Sequence, residues 1–147
     1  MAQVRQADAN WSGDLLSGGG SVSATSSSIF SDQAIDWRAR TEASEGKTSP
    51  EELLAAAHAS CYSMAVSHEL AQAGHPPERV DVSVVVTADK TDTGWTVLSS
   101  AIAVRAKVPG ADEALFMEKA NAAKGGCPIS KALGDSVEIT LDATLEA

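Results

Sequence analysis

At 147 residues the chain fits one domain, residues 1–147, which at this size buries roughly 68–70% of the surface its unfolded form exposes. A formal net charge of −9, from 20 acidic and 11 basic residues, argues against nucleic acid or an anionic membrane as partner, because neutralising phosphates takes clustered Lys and Arg. Apolar residues make up 44% but aromatic residues only 4%, so the core has to be built from Ala, Val, Leu and Ile.

The opening "MAQVRQADANWSGD" has no apolar h-region, and no run of ~18 apolar residues follows, so neither a signal peptide nor a membrane helix is expected and the cytoplasm is the default compartment. In that setting two cysteines are poor evidence for a structural disulfide, and metal binding or redox chemistry becomes the alternative. "NWSGDLLSGGGSVSATSSS" reads as two short polar strands around Gly18–Gly20, since glycine reaches the positive φ values that tight turns need. Residues 39–49 are charged and small, show no period, and read as an exposed loop.

The first helix has a clear start. Ser49 is a good N-cap, Pro50 suits the first helical position, and Glu52 completes a capping box, which leaves Glu51 without a capping role. The helix is predicted to run to about Ala73, before Gly74 and Pro76-Pro77, with Leu53, Leu54, Ala57, Cys61, Met64, Ala65 and Leu70 as its apolar stripe. Two long strands follow. Val80, Val82, Val84 and Val86 line one face of the first, Leu98, Ile102, Val104 and Val108 one face of the second, and "KTDTG" turns between them. A second helix over "EALFMEKANAAK" ends at Gly125-Gly126, and "CPISKAL" begins another turn or two with Pro128 first. The alternation of Val137, Ile139, Leu141, Ala143 and Leu145 with polar residues predicts a half-solvated antiparallel strand. Strand runs separated by helices without βαβ spacing give an α+β fold, with antiparallel sheets packed against central helices.

Chemistry centres on Cys61 and Cys127. Lying 66 residues apart, they form neither a CxxC motif nor a zinc ribbon. Cys127 falls at a helix N-cap, where the dipole and free N–H groups favour a thiolate, whereas Cys61 sits mid-helix and needs a cation from elsewhere. A buried inert thiol is an equally good reading of Cys61 at this point, because free cysteine is among the most buried residue types. His58, one turn before Cys61, reads as a satisfied helical histidine more readily than as a base. His68 is ~10.5 Å of rise beyond Cys61, too far to share a zinc with it. A Cys61–His58–Cys127 metal site lacks a fourth ligand, and a Cys-His hydrolase lacks a group to orient His58. The charged segment with Arg38 and Arg40 reads as solvated surface, with one of its arginines as the alternative source of the cation Cys61 needs.

"KTSPEELLAAAHASCYSMAVS" followed by "GGCPISKAL" resembles the OsmC/Ohr family of organic hydroperoxide reductases, and the likeness extends to "WSGD", "WRAR" and "EITLDATLEA", details closer to the OsmC branch. The resemblance implies an intertwined α+β homodimer with two sites at the subunit interface, no metal, haem or flavin cofactor, and peroxide reduction by cysteine. It makes Cys61 the peroxidatic cysteine, whose thiolate becomes a sulfenic acid, and Cys127 the resolving cysteine, whose disulfide an external dithiol of lipoyl type reduces. It further implies an arginine that stabilises the thiolate, matched to Arg40 in preference to Arg38, and a glutamate that orients it, matched to Glu51. Organic hydroperoxides would be the substrates, with hydrogen peroxide poorer. Glu51 and Cys61 stand ten residues apart on one helix, about 15 Å of rise, so the Arg40 and Glu51 serving a given Cys61 are expected from the other subunit. The alternative from another class is a non-catalytic dimeric binding protein whose cysteines pack or hold a metal.

Overall fold

The computed structural model describes residues 1–147 and divides into two compact units, Met1–Leu53 and Leu54–Ala147. In the first unit, β1 (Asp8–Ser12), β2 (Gly19–Ser23) and β3 (Gln33–Ile35) form an antiparallel sheet in that order. The first two strands pair as a hairpin, but its turn lies between Ser12 and Gly19 and not around Gly18–Gly20: Gly19 and Gly20 belong to β2, and the positive φ, +88°, is at Gly13. Its turn is closed by Asp14, whose carboxylate accepts the backbone N–H groups of Leu16 and Ser17 at 2.9 and 3.0 Å. Glycine is required at position 20, because a Cβ there would run into the carbonyl oxygen of Asn10 on the neighbouring strand. The third strand lacks any sequence signal beyond its three residues. The stretch 39–49 is not wholly loop. Its first residues end a short helix, α1 (Trp37–Thr41), held by the Asp36 carboxylate accepting the Ala39 N–H at 2.6 Å.

Helix α2 (Pro50–Gln72) begins where Ser49 and Pro50 place it. Ser49 Oγ accepts the Glu52 N–H at 3.1 Å, but Glu52 takes the Thr48 hydroxyl at 2.7 Å rather than reaching back to Ser49, so only half of the capping box forms. At the far end Gly74 takes φ +85°, and the His75 N–H reaches the Leu70 carbonyl at 2.9 Å, closing the last turn. The buried face differs from the predicted stripe. It is centred on His58, Tyr62, Val66 and Leu70, with Cys61 and Ala65 at its margin, while Met64 is 67% exposed.

In the second unit β4 (Arg79–Thr91) and β5 (Gly94–Lys107) make a long antiparallel hairpin, with Val80, Val82, Val84 and Val86 on the inner face as expected. A bulge leaves Leu98 without a partner opposite the Thr87-Ala88 step, which turns it out of the face it was predicted to share with Ile102 and Val104. Helices α3 (Glu113–Gly126) and α4 (Pro128–Leu133) then return the chain to β6 (Glu138–Glu146).

β6 pairs with β5 in parallel, from Ser99↔Glu138 to Lys107↔Glu146, so the expectation of an all-antiparallel sheet is corrected here. The cause is the connection. Two helices between β5 and β6 carry the chain back to the end of the sheet where β5 began, which a hairpin cannot do, and the pair with its helices is a βαβ crossover. The in-out alternation read from Val137 to Leu145 holds, because it depends on the strand period and not on its direction. The second unit's core joins Tyr62, Val66 and Leu70 of α2, Ile102, Val104 and Ala106 of β5, and Phe116, Ala120 and Ala123 of α3. Its small aromatic content is concentrated at two fully buried positions, Tyr62 and Phe116.

Candidate active site

The Cys127 N–H closes the last turn of α3 on Ala123 at 2.9 Å, and its carbonyl accepts the first N–H of the next helix, from Lys131, at 3.0 Å. This junction, forced by Pro128 at the first position of α4, aims the Cys127 side chain inward, where it is fully buried. There its thiol donates to the sulfur of Cys61 at 3.0 Å. Both cysteines are free thiols. Two residues 66 positions apart are thus held ~1 Å beyond disulfide bonding distance.

Their environments differ. Burial pushes the Cys61 thiol up, and the bond from Cys127 adds to this against a smaller pull from the Ile129 N–H. Burial also acts on Cys127, but its bond with Cys61 and the N–H groups and hydroxyl offered by Ser130 and Ile129 outweigh it and bring that thiol below its ordinary value. Within one chain the first negative charge therefore rests on Cys127, as the helix-end argument anticipates. Access runs the other way. A groove of about 370 Å³ is lined by Cys61 together with Met64, Ala65, Ala123 and Pro128, and by the polar side chains of His68 and Glu69. Cys127 does not reach it. A larger depression of about 610 Å³, lined by Lys124, Ser130, Lys131 and Asp135 among others, contains neither sulfur.

His58 is fully buried but does not partner Cys61. Its Nδ1 lies 2.6 Å from Ser100 Oγ on β5 and its Nε2 2.8 Å from Ser130 Oγ on α4. Burial lowers its pKa, so the ring is neutral. The two serines are site residues that sequence reasoning missed. Ser130 had a faint signal as the third residue of α4 after Cys127, and Ser100 had none. No three His, Cys, Asp or Glu side chains gather into a group that could hold a metal ion.

In the first unit, Arg40 meets Glu51 side-on. Nε lies 2.9 and 3.2 Å from the two carboxylate oxygens and a terminal nitrogen 2.8 Å from Oε1. The guanidinium also stacks 5.7 Å from the centroid of the Trp37 ring. Both partners are largely covered, at 29% and 13% side-chain exposure, so their attraction is less screened than a surface pair's. Arg38 goes elsewhere, pairing with Glu42 at 3.2 Å and Glu45 at 3.8 Å on the exposed surface. The glutamate left over by the capping pattern is thus engaged by the favoured arginine.

A mixed sheet backed by helices, with two free thiols in contact beside a groove, defines the class as an α+β protein with a paired-cysteine site. The family model described as OsmC-like protein matches residues 42–142, and the chain belongs to the OsmC family. It is 40% identical to the peroxiredoxin OsmC of Escherichia coli over the full length of both chains, and 30% identical to the organic hydroperoxide resistance protein OhrA of Bacillus subtilis over 76% of this chain and 77% of that one. Among solved structures, the organic hydroperoxide resistance protein OhrB of Bacillus subtilis superposes with a TM-score of 0.70 at 22% identity, covering 95% of this chain and 98% of that one. An OsmC-like protein of Mycoplasma pneumoniae does so at 0.75 and 15% identity over the whole of both chains. At these identities the structural likeness speaks for the fold. No helix is long and apolar enough to cross a membrane.

Proposed function

We propose that the protein is a cysteine peroxidase that reduces organic hydroperoxides, and hydrogen peroxide less well, in the cytoplasm as a homodimer. The observation that carries the reading is the sulfur pair: Cys61 opens onto an apolar groove with Cys127 buried behind it at 3.0 Å. A peroxide entering the groove meets Cys61 first, whichever thiol is the more acidic. The Cys61 thiolate attacks the distal oxygen, the O–O bond breaks, the alkoxide leaves and takes a proton to become the alcohol, and Cys61 is left as S–OH. Cys127, as thiolate, attacks the Cys61 sulfur. The S–S bond forms, the S–O bond breaks, and hydroxide leaves as water after protonation. An external dithiol, of lipoyl type, then supplies two electrons and restores both thiols. No cofactor is needed.

Charge has to move from Cys127 to Cys61 before the first step, and the Arg40–Glu51 pair is the proposed means. A guanidinium placed near the Cys61 sulfur lowers its pKa by ~1–3, enough to invert the order seen within one chain. Glu51 precedes Cys61 by about 15 Å of helical rise, so the pair serving a given sulfur comes from a second copy. The groove, apolar along Met64, Ala65, Ala123 and Pro128, suits the alkyl part of an organic hydroperoxide better than it suits hydrogen peroxide.

The test is consumption of tert-butyl hydroperoxide by the purified protein with a dithiol reductant, beside Cys61→Ser. Turnover by the wild type and none by the variant is expected. Equal inertness of both with several dithiols would return Cys61 to the role of a packing residue in a binding protein.

A further inference from the structure

Cys61 occupies one end of its groove, and the other end is built from different chemistry. From α2 the groove is lined by Cys61, Met64, Ala65, His68 and Glu69. These are positions i, i+3, i+4, i+7 and i+8, one stripe of the helix, so the groove runs along the helix axis and Glu69 stands about 12 Å of rise beyond Cys61. Ala123 of α3 and Pro128 of α4 line it from across, and besides the sulfur only His68 and Glu69 among its residues are ionisable. His68 is exposed and also lines a neighbouring depression, which puts it on the rim and leaves Glu69 as the charge inside. Glu69 is half-buried there, and no hydrogen bond or ion pair holds its carboxylate. Lys119 on α3 couples to it through space but gives its ammonium to Glu118 at 2.9 Å.

Resting on the peroxidase reading, we propose that Glu69 is a specificity-determining residue: it makes the groove a charge filter that takes hydroperoxides with a neutral or cationic far end and turns away those that end in a carboxylate. A medium-length substrate with its O–O bond at Cys61 lays its alkyl stem along Met64, Ala65 and Ala123, and its far end reaches Glu69. A carboxylate arriving there meets a like charge that water screens incompletely. A hydroxyl or an amide N–H donates a hydrogen bond to the same carboxylate instead. A short hydroperoxide ends before Glu69 and is not sorted. The chemistry at Cys61 is the same for all of them, so the filter acts on which substrate is bound and not on how it is reduced.

The test compares kcat/KM for ω-hydroperoxydecanoic acid and for its primary amide, each relative to tert-butyl hydroperoxide with the same protein, in wild type, Glu69→Gln and His68→Gln. The wild type is expected to favour the amide about tenfold, and this preference to narrow as salt is raised. Glu69→Gln should abolish it and His68→Gln should keep it. Because each value is a ratio within one protein, a general loss of folding or activity in a variant cancels. Equal use of acid and amide by the wild type, a preference that survives Glu69→Gln, or one lost in His68→Gln instead, overturns the proposal. Failure of the peroxidase reading itself would look different, as no consumption of any of the three hydroperoxides by the wild type.

Discussion

Cys61 and Cys127 divide between them two properties that a single peroxidatic cysteine needs. Cys127 has the helix end and the donors that make a thiolate; Cys61 has the groove. Reaction rate depends on both access and thiolate fraction, and access cannot be supplied to a fully buried sulfur, whereas charge can be supplied to Cys61 by an arginine. Arg40→Ala is therefore expected to raise the Cys61 pKa by ~1–3 units and to slow its reaction with peroxide about tenfold or more at neutral pH, as measured by stopped-flow. Arg40→Lys should recover little, because an ammonium cannot meet both oxygens of Glu51 side-on as the guanidinium does. Glu51 stands out in the sequence twice, as the acid without a capping role and as the residue the family resemblance matches to a glutamate, and the structure pairs it with Arg40. The contact of Cys61 with Cys127 was not legible from the residues alone, since nothing local links positions 66 apart in the chain. His58 was read as a satisfied helical histidine, and it is one; its partners on β5 and α4 could not be named, because both come from other elements.

Helix α2 shows what local signals can and cannot deliver. Its first and last turns follow from Ser49, Pro50 and Gly74, residues whose preferences act within a few positions. Its buried face does not follow so closely, because hydropathy ranks Met64 above His58, and only tertiary partners make the histidine the better core residue. The same limit applies to β6. Alternation reports which side chains face inward, and the direction of the strand is set by the two-helix crossover before it. Burial of His58 has a measurable consequence. Its folded pKa lies below the ordinary 6.5, so as pH falls through 6.5 the unfolded chain takes up this proton before the folded one does. The stability contribution is whole above that value and is lost as pH falls toward the folded pKa, with a slope of at most about 1.4 kcal/mol per pH unit. Urea titrations at pH 7 and pH 5 should show that loss, and His58→Gln, if folded, should lack its share of it. Phe116→Ala, which empties the largest apolar site at the centre of the α3 contact, is expected to cost about 3–5 kcal/mol by the same method.

For the molecule as an assembly, the proposed partners are a small hydroperoxide and a second copy of the chain. If Arg40 acts across a dimer, two inactive chains should complement each other. A Cys61→Ser chain still offers its Arg40, and an Arg40→Ala chain still offers its Cys61, so the mixed dimer holds one intact site. Equal mixing with subunit exchange should recover about a quarter of the wild-type rate if the pair acts in trans, and essentially nothing if it acts in cis. Size-exclusion chromatography with light scattering should give twice the mass of one chain.

The most direct measurement of the central claim is a count of free thiols and an intact mass after one equivalent of organic hydroperoxide, without reductant, in wild type and in Cys127→Ser. The wild type should lose both thiols and two hydrogens with no oxygen gained, and Cys127→Ser should gain a single oxygen at Cys61. If both thiols of the wild type survive and no mass change accompanies the peroxide, the sulfur pair is not a reagent and the peroxidase account is wrong.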